Sequence, residues 1–123
     1  MIYSVGIDLI DMERIRKALD RFGDRFVRRV LGEEERNLYR EKRNKVQFLA
    51  GRFASKEAVI KALGTLLDSG MTPRCIQILT DLYGKPYVHF DDVIREKIFD
   101  KEVKISITHE RTMAAAVAIL TGD

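Results

Sequence analysis

The residues best suited to chemistry are two carboxylates, Asp8 and Glu57, and Lys61, one helical turn beyond the second. One or two carboxylates completed by substrate phosphates are a common way for a protein to hold Mg²⁺. A lysine one turn from such a carboxylate faces the same phosphates, so the trio can support a metal-assisted phosphoryl transfer. Gly84-Lys85-Pro86 adds a further cation on a turn. Each residue also has a plainer reading. A Glu–Lys pair at this spacing is ordinarily a solvated surface contact worth about 0.3 kcal/mol, and an aspartate at a strand end ordinarily caps a turn. Other catalytic sets are missing. No GxxxxGK[ST] loop occurs, no GxGxxG follows the first strand, and His89 and His109 show no zinc spacing. Cys75, the single cysteine, suits packing in a strand better than nucleophilic work.

Glu57 and Lys61 belong to a peculiar stretch. Between Phe48 and Leu67 the only charged residues are Arg52, Lys56, Glu57 and Lys61. At 100° per residue, Arg52 and Lys56 fall within the stripe of Phe48, Leu49, Val59, Ile60 and Leu63. Glu57 and Lys61 lie roughly 100–180° away, beside the small face of Ala50, Ala54, Ala58 and Ala62. The spacing predicts a central helix opened by Asn44, with Gln47 at the capping-box position, ending between Gly64 and Gly70 before Pro73. No face of it reads as plain solvent. Charges held against apolar walls need ionic partners.

The rest of the chain must position this helix. Ile2 to Leu9 alternates as a half-buried strand, with Tyr3, Val5, Ile7 and Leu9 on one face and Ser4, Gly6 and Asp8 on the polar one. Asp11 caps a helix that runs to Phe22 and stops at Gly23; a second piece runs from Asp24 to Leu31. Glu33 to Arg43 reads as a charged helix without chemistry. Strands follow at 75–80 and 87–90, then a helix capped by Asp91 with Ile94 and Ile98 inward. A hairpin of 103–108 and 113–120 closes the chain, its fully apolar second strand central. This order predicts an α+β fold: a mainly antiparallel sheet packed on a long central helix.

At 123 residues, 1–123 is expected to be a single domain. One cysteine, no apolar run of membrane length and no visible leader point to the cytoplasm and away from membranes. The net charge of +3 is too small to imply nucleic acid by itself. Arg14, Lys17, Arg21, Arg25 and Arg28 form a stripe if the two helical pieces are collinear. It is either a solvated face or a dock for an acidic partner. Almost no stacking aromatics interleave with it, so an acidic protein suits it better than nucleic acid.

Four segments in register resemble the small bacterial type of 4′-phosphopantetheinyl transferase, the holo-acyl-carrier-protein synthases. They are Gly6-Ile7-Asp8 with Arg14, Phe53-Ala54-Ser55-Lys56-Glu57-Ala58 with Lys61-Ala62, Gly84-Lys85-Pro86, and Ser106-Ile107-Thr108-His109-Glu110. The resemblance implies transfer of the 4′-phosphopantetheine arm of coenzyme A to a serine of an acyl carrier protein, in support of fatty acid biosynthesis. It further implies Mg²⁺ and a homotrimer with sites between subunits. Asp8 and Glu57 match its metal-binding carboxylates, and Lys61 its lysine beside the diphosphate. Arg52, Lys56, Gly64, Gly84, Lys85, Pro86, Thr108 and His109 fall in or near its nucleotide-binding regions. Arg14, Arg21 and Arg25 match its carrier-protein dock. Two positions depart from the pattern: Leu66-Leu67-Asp68 stands where glycine is common, and Thr108 where serine is. The other reading, a basic binding module with structural carboxylates, predicts no Mg²⁺-linked stabilisation by coenzyme A.

Overall fold

The computed structural model describes residues 1–66 and 73–123. Strand β1 (Ile2–Asp11) leads into α1 (Met12–Phe22), α2 (Asp24–Val30) and α3 (Glu33–Arg40). The central helix α4 (Lys45–Leu63) follows, then β2 (Ile76–Thr80), β3 (Pro86–Phe90), α5 (Asp92–Ile98), β4 (Lys101–His109) and β5 (Met113–Gly122). The capping residues are those the sequence offers. Side chains of Asp11, Asn44 and Asp91 accept from the amides of Glu13, Gln47 and Ile94, and Gly23 and Gly64 end α1 and α4 with φ near +55° and +53°. Cys75 sits not in a strand but in a single tight turn, Pro73–Cys75, just before β2. The helix end expected as late as Gly70, and Leu67-Asp68, lie outside the described residues.

The fold is α+β, and both sheets are antiparallel. One has the order β1-β5-β4, which puts β5 in the centre; the other is the β2-β3 hairpin. Helix α4 lies on the three-stranded sheet and against β2. The sheet face beneath it is built small. Gly6, Ala118 and Ile105 form one rung, and Asp8, Ala116 and Ile107 the next. Ala114, Ala116 and Ala118 are buried there, as are Ala50, Ala54, Ala58 and Ala62 of α4. Small residues on both surfaces let the helix and sheet backbones approach closely.

That close approach reverses the expected facing of β1. Tyr3, Val5, Ile7 and Leu9 point away from α4 and are exposed, Ile7 at 67% and Leu9 at 64%. Ser4, Gly6, Asp8 and Ile10 face inward instead. The reason is steric: a Cβ on Gly6 would stand 1.9 Å from the Ala58 carbonyl oxygen and 2.8 Å from the Ala62 nitrogen. A strand with large residues on that face could not lie there.

Candidate functional site

Gly6 and Asp8 share a strand face, two residues apart. Contact at Gly6 therefore delivers Asp8 to the flank of α4 one rung further on. Ser4 fastens the same edge, its hydroxyl donating to the Ala62 carbonyl. Lys61 reaches back across the gap: its ammonium donates to the Ile7 carbonyl at 3.0 Å and to Asp8 Oδ1 at 3.2 Å. Asp8 is largely covered, with a side chain 18% exposed, while Lys61 is open to solvent. Glu57 stands one turn before Lys61, half-buried. The structure thus joins Asp8 and Lys61 directly and sets Glu57 on the same flank.

These residues suit a hard divalent cation. Two carboxylates beside an open side supply oxygen donors and leave positions for water and phosphate oxygens, the arrangement Mg²⁺ favours. Among the described residues no group of three or more His, Cys, Asp or Glu could hold a metal, so an all-protein cage is not offered there.

A second cluster lies on a different flank. A pocket of about 210 Å³ is lined by Lys42, Arg43, Gln47, Phe48, Arg52 and His109, with Ile107 from the sheet. Gln47 Nε2 lies 3.1 Å from His109 Nδ1, so the α4 start and the β4 end are tied. The Arg52 guanidinium lies 4.4 Å from the centre of the Phe48 ring, with the Lys42 ammonium 5.5 Å from it. Arg52 Nε donates to the Ile78 carbonyl at 3.1 Å. Four cationic or ionisable nitrogen side chains and an aromatic wall, with no carboxylate among the lining residues, suit an anionic ligand with a flat ring. Lys42, Arg43, Gln47 and Phe48 were not among the binding residues expected from sequence. Lys42 and Arg43 end a stretch so rich in both charges that two more cations carry no signal.

Lys56 is a correction. Its ammonium is fully buried, bonded to Glu35 Oε1 at 2.5 Å and to the Pro73 and Ile76 carbonyls at 2.9 and 2.5 Å. Burial pushes it below the ordinary lysine range against the pull of Glu35. An ammonium with three protein acceptors and no exposure has no donor left for a nucleotide.

The remaining residues are dispersed. Thr108 is exposed on the sheet face opposite α4, so it and His109 point to opposite sides. Gly64 is the exposed C-cap of α4. Gly84, Lys85 and Pro86 form the tip of the β2-β3 hairpin and do not line the pocket. The tip is held by Asp81 Oδ1, which accepts from the amides of Tyr83 and Lys85 at 2.9 Å each.

The basic surface also differs from a single stripe. Gly23, at φ 55° and ψ −131°, breaks the path between α1 and α2. A groove of about 640 Å³ opens there, lined by Phe22 and Phe26 with Arg25, Arg28, Arg29 and Arg74. Arg21 stacks 5.2 Å from the Phe22 ring centre. Arg14 is exposed further along α1.

Residues 4–119 match the family described as the 4′-phosphopantetheinyl transferase superfamily. A holo-[acyl-carrier-protein] synthase of Nitratidesulfovibrio vulgaris is 44% identical over 123 residues, with 98% of each chain covered. The crystal structure of the Neisseria meningitidis holo-[acyl-carrier-protein] synthase superposes with a TM-score of 0.90 at 31% identity, over 98% of this chain and 99% of that one. The Bacillus anthracis enzyme in complex with CoA (3′,5′-ADP) gives a TM-score of 0.82 at 34% identity, over 100% and 99%. With near-complete coverage in both directions, the chain belongs to the 4′-phosphopantetheinyl transferase superfamily, among its holo-[acyl-carrier-protein] synthases.

Proposed function

We propose that this enzyme moves the 4′-phosphopantetheine arm of coenzyme A to a serine of an apo acyl carrier protein, with Mg²⁺, in the service of fatty acid synthesis. The observation that carries this reading is the meeting of Asp8 and Lys61 beside Glu57, under the close approach of β1 at Gly6. Asp8 and Glu57 would hold Mg²⁺, which supplies charge neutralisation at the diphosphate when bound. Lys61, anchored on the Ile7 carbonyl, presents its remaining donor to the same phosphates without reorganising. The serine oxygen forms a bond to the phosphorus bearing the pantetheine arm. The bond from that phosphorus to the bridging oxygen breaks, and adenosine 3′,5′-bisphosphate leaves with the electron pair. The serine proton passes to Glu57 or to water.

The pocket of Lys42, Arg43, Arg52 and His109 is the part best suited to the nucleotide end, with its phosphate and its adenine. It does not serve the carboxylates of the same protomer well. Arg52 and Glu57 stand ~140° apart around α4, and Phe48 and Lys61 are ~20 Å apart along it. A complete site therefore needs carboxylates from one subunit and the pocket from the next. The exposed row of Val5, Ile7 and Leu9, continued on β5 by Val117 and Ile119, supplies an apolar face for that assembly, a homotrimer. The arginine-ringed groove between α1 and α2, with Arg14 and Arg21 beside it, would dock the acidic carrier protein.

Mass spectrometry of apo carrier protein incubated with coenzyme A and this enzyme tests the reading. The expected result is a gain of one phosphopantetheine arm in the presence of Mg²⁺, abolished by a chelator. Glu57→Gln should lower the rate by a factor on the order of 100 or more while melting normally. Equal turnover with and without metal, or an undiminished Glu57→Gln, would sink it.

A further inference from the structure

We propose that the buried Glu35–Lys56 ion pair is a positioning device: it fixes the rotation of α4 about its own axis, and so where Glu57 and Lys61 meet Asp8. The proposal rests on the reading of Asp8 and Glu57 as the Mg²⁺ carboxylates.

Helix α4 has few directional contacts to set its rotation, and among the described residues only this one is fully buried on both partners' side chains. Of its 19 residues, Lys61 alone is exposed. Apolar and small residues occupy nearly the whole circumference, and hydrophobic burial is non-directional. Ala50, Ala54, Ala58, Ala62 and Gly51 are too short to key into neighbours as large side chains do. Directional contacts must supply the angle. On the sheet side, Ser4 and Lys61 bind backbone carbonyls and Gln47 meets His109, while Arg52 donates to the Ile78 carbonyl of β2. On the other side stands Lys56, ~160° around the helix from Ala58, where Gly6 presses.

Lys56 meets groups from two separate segments: Glu35 on α3, and the Pro73 and Ile76 carbonyls leading into β2. Glu35 is itself held from both sides. Its Oε1 also accepts from the Gly32 amide at 3.0 Å, and its Oε2 from the Ile78 amide at 2.8 Å. Among the described residues no buried side-chain nitrogen or oxygen lacks a partner, so the cluster is closed. Each partner fixes the next, and only one helix angle satisfies all of them.

Stability alone does not explain the pair. Taking both charges out of water is costly, and apolar replacements of similar volume are often as stable or more so. What apolar replacements cannot supply is direction. Glu57 lies ~100° from Lys56, between the pair and the β1 contact. A 20° turn of α4 would move a side-chain tip ~5 Å from the axis by ~1.7 Å. Metal–ligand distances tolerate only about 0.2 Å.

The test uses the full-length chain, Mn²⁺ as a spectroscopically visible probe of the carboxylate site, and transfer kinetics with coenzyme A and apo carrier protein. The double variant Glu35→Leu/Lys56→Met is expected to keep a urea midpoint at or above that of the wild type. Its Mn²⁺ affinity should fall roughly 10–100-fold, with a comparable loss in kcat. A folded double variant with wild-type Mn²⁺ affinity and kcat overturns the proposal. Should the double variant not fold, Glu35→Gln, which keeps the size of the side chain, takes its place. Weakened Mn²⁺ binding per folded molecule supports positioning; unchanged binding overturns it. A wild type that binds no Mn²⁺ and transfers no arm fails the functional reading itself, and this proposal with it.

Discussion

Gly6 leaves room that no other residue would. Any side chain there puts a carbon inside the van der Waals radius of the Ala58 carbonyl oxygen, which belongs to helix backbone and cannot swing aside. Gly6→Ala must therefore lift β1 from α4, and Asp8 with it. We expect a loss of about 3 kcal/mol in urea unfolding, and Mn²⁺ binding weaker than wild type in whatever fraction folds. Asp8, Glu57 and Lys61 were legible as single residues, because charge amid apolar neighbours stands out in a sequence. The facing of β1 was not, because the larger apolar side ordinarily marks the core. Here the buried side is the one small enough for a helix to approach. Lys56 was misread for a related reason. Its partner, Glu35, is the last of three consecutive glutamates in a highly charged stretch where no acidic residue differs visibly from another. Only the fold shows that Glu35 turns inward, its carboxylate closing back on the Gly32 amide.

At the level of elements, the caps were the most readable feature, since Asp11, Asn44 and Asp91 act on amides two or three residues away. Elements that depend on distant partners were less so. Helix α3 stops at Arg40, short of Arg43, and its first turn is covered by Gln77 of β2, whose side-chain oxygen accepts from the Glu34 and Glu35 amides. The break at Gly23 was expected, but the bend it imposes could not be read from spacing. That bend turns a row of arginines into a groove with Phe22 and Phe26 among them. Reversing Arg25 and Arg29 to Glu should raise KM for the carrier protein at least roughly tenfold, with the largest effect at low salt. Coenzyme A affinity, read by calorimetry on the same variant, should stay at the wild-type value. Loss of both together would place the groove in the folding of the enzyme and not in docking. Arg28 is the poorer choice for such a test, because Asp24 already holds it at 2.6 Å.

On the scale of the whole molecule, the two half-sites make a sharper prediction than any single substitution. Glu57→Gln removes function from the carboxylate half, and Arg52→Ala removes it from the pocket half. Each variant alone should be nearly inactive. Mixed and reassembled, they should regain a measurable fraction of wild-type turnover, because some interfaces then pair an intact carboxylate half with an intact pocket. Failure to complement, with mixed assembly demonstrated by mass spectrometry, would place both halves in one protomer. Replacing Ile7 on the open sheet face with Lys should release monomers on a sizing column and remove activity with them.

The sheet order carries a consequence for how the protein is made. Strand β5 follows every other element, yet it is the middle strand, and neither β1 nor β4 has another partner in that sheet. At ribosomal speeds, β1 waits about 5–20 s for a strand on the order of 100 residues downstream. Until then its amides are unpaired, Asp8 has no fixed place, and the helices can form only around an open seat. Pairing across such a separation is slow to nucleate. The enzyme therefore acquires the flank that carries Asp8 in the final step of folding, and a nascent chain lacking β5 should bind neither Mn²⁺ nor coenzyme A.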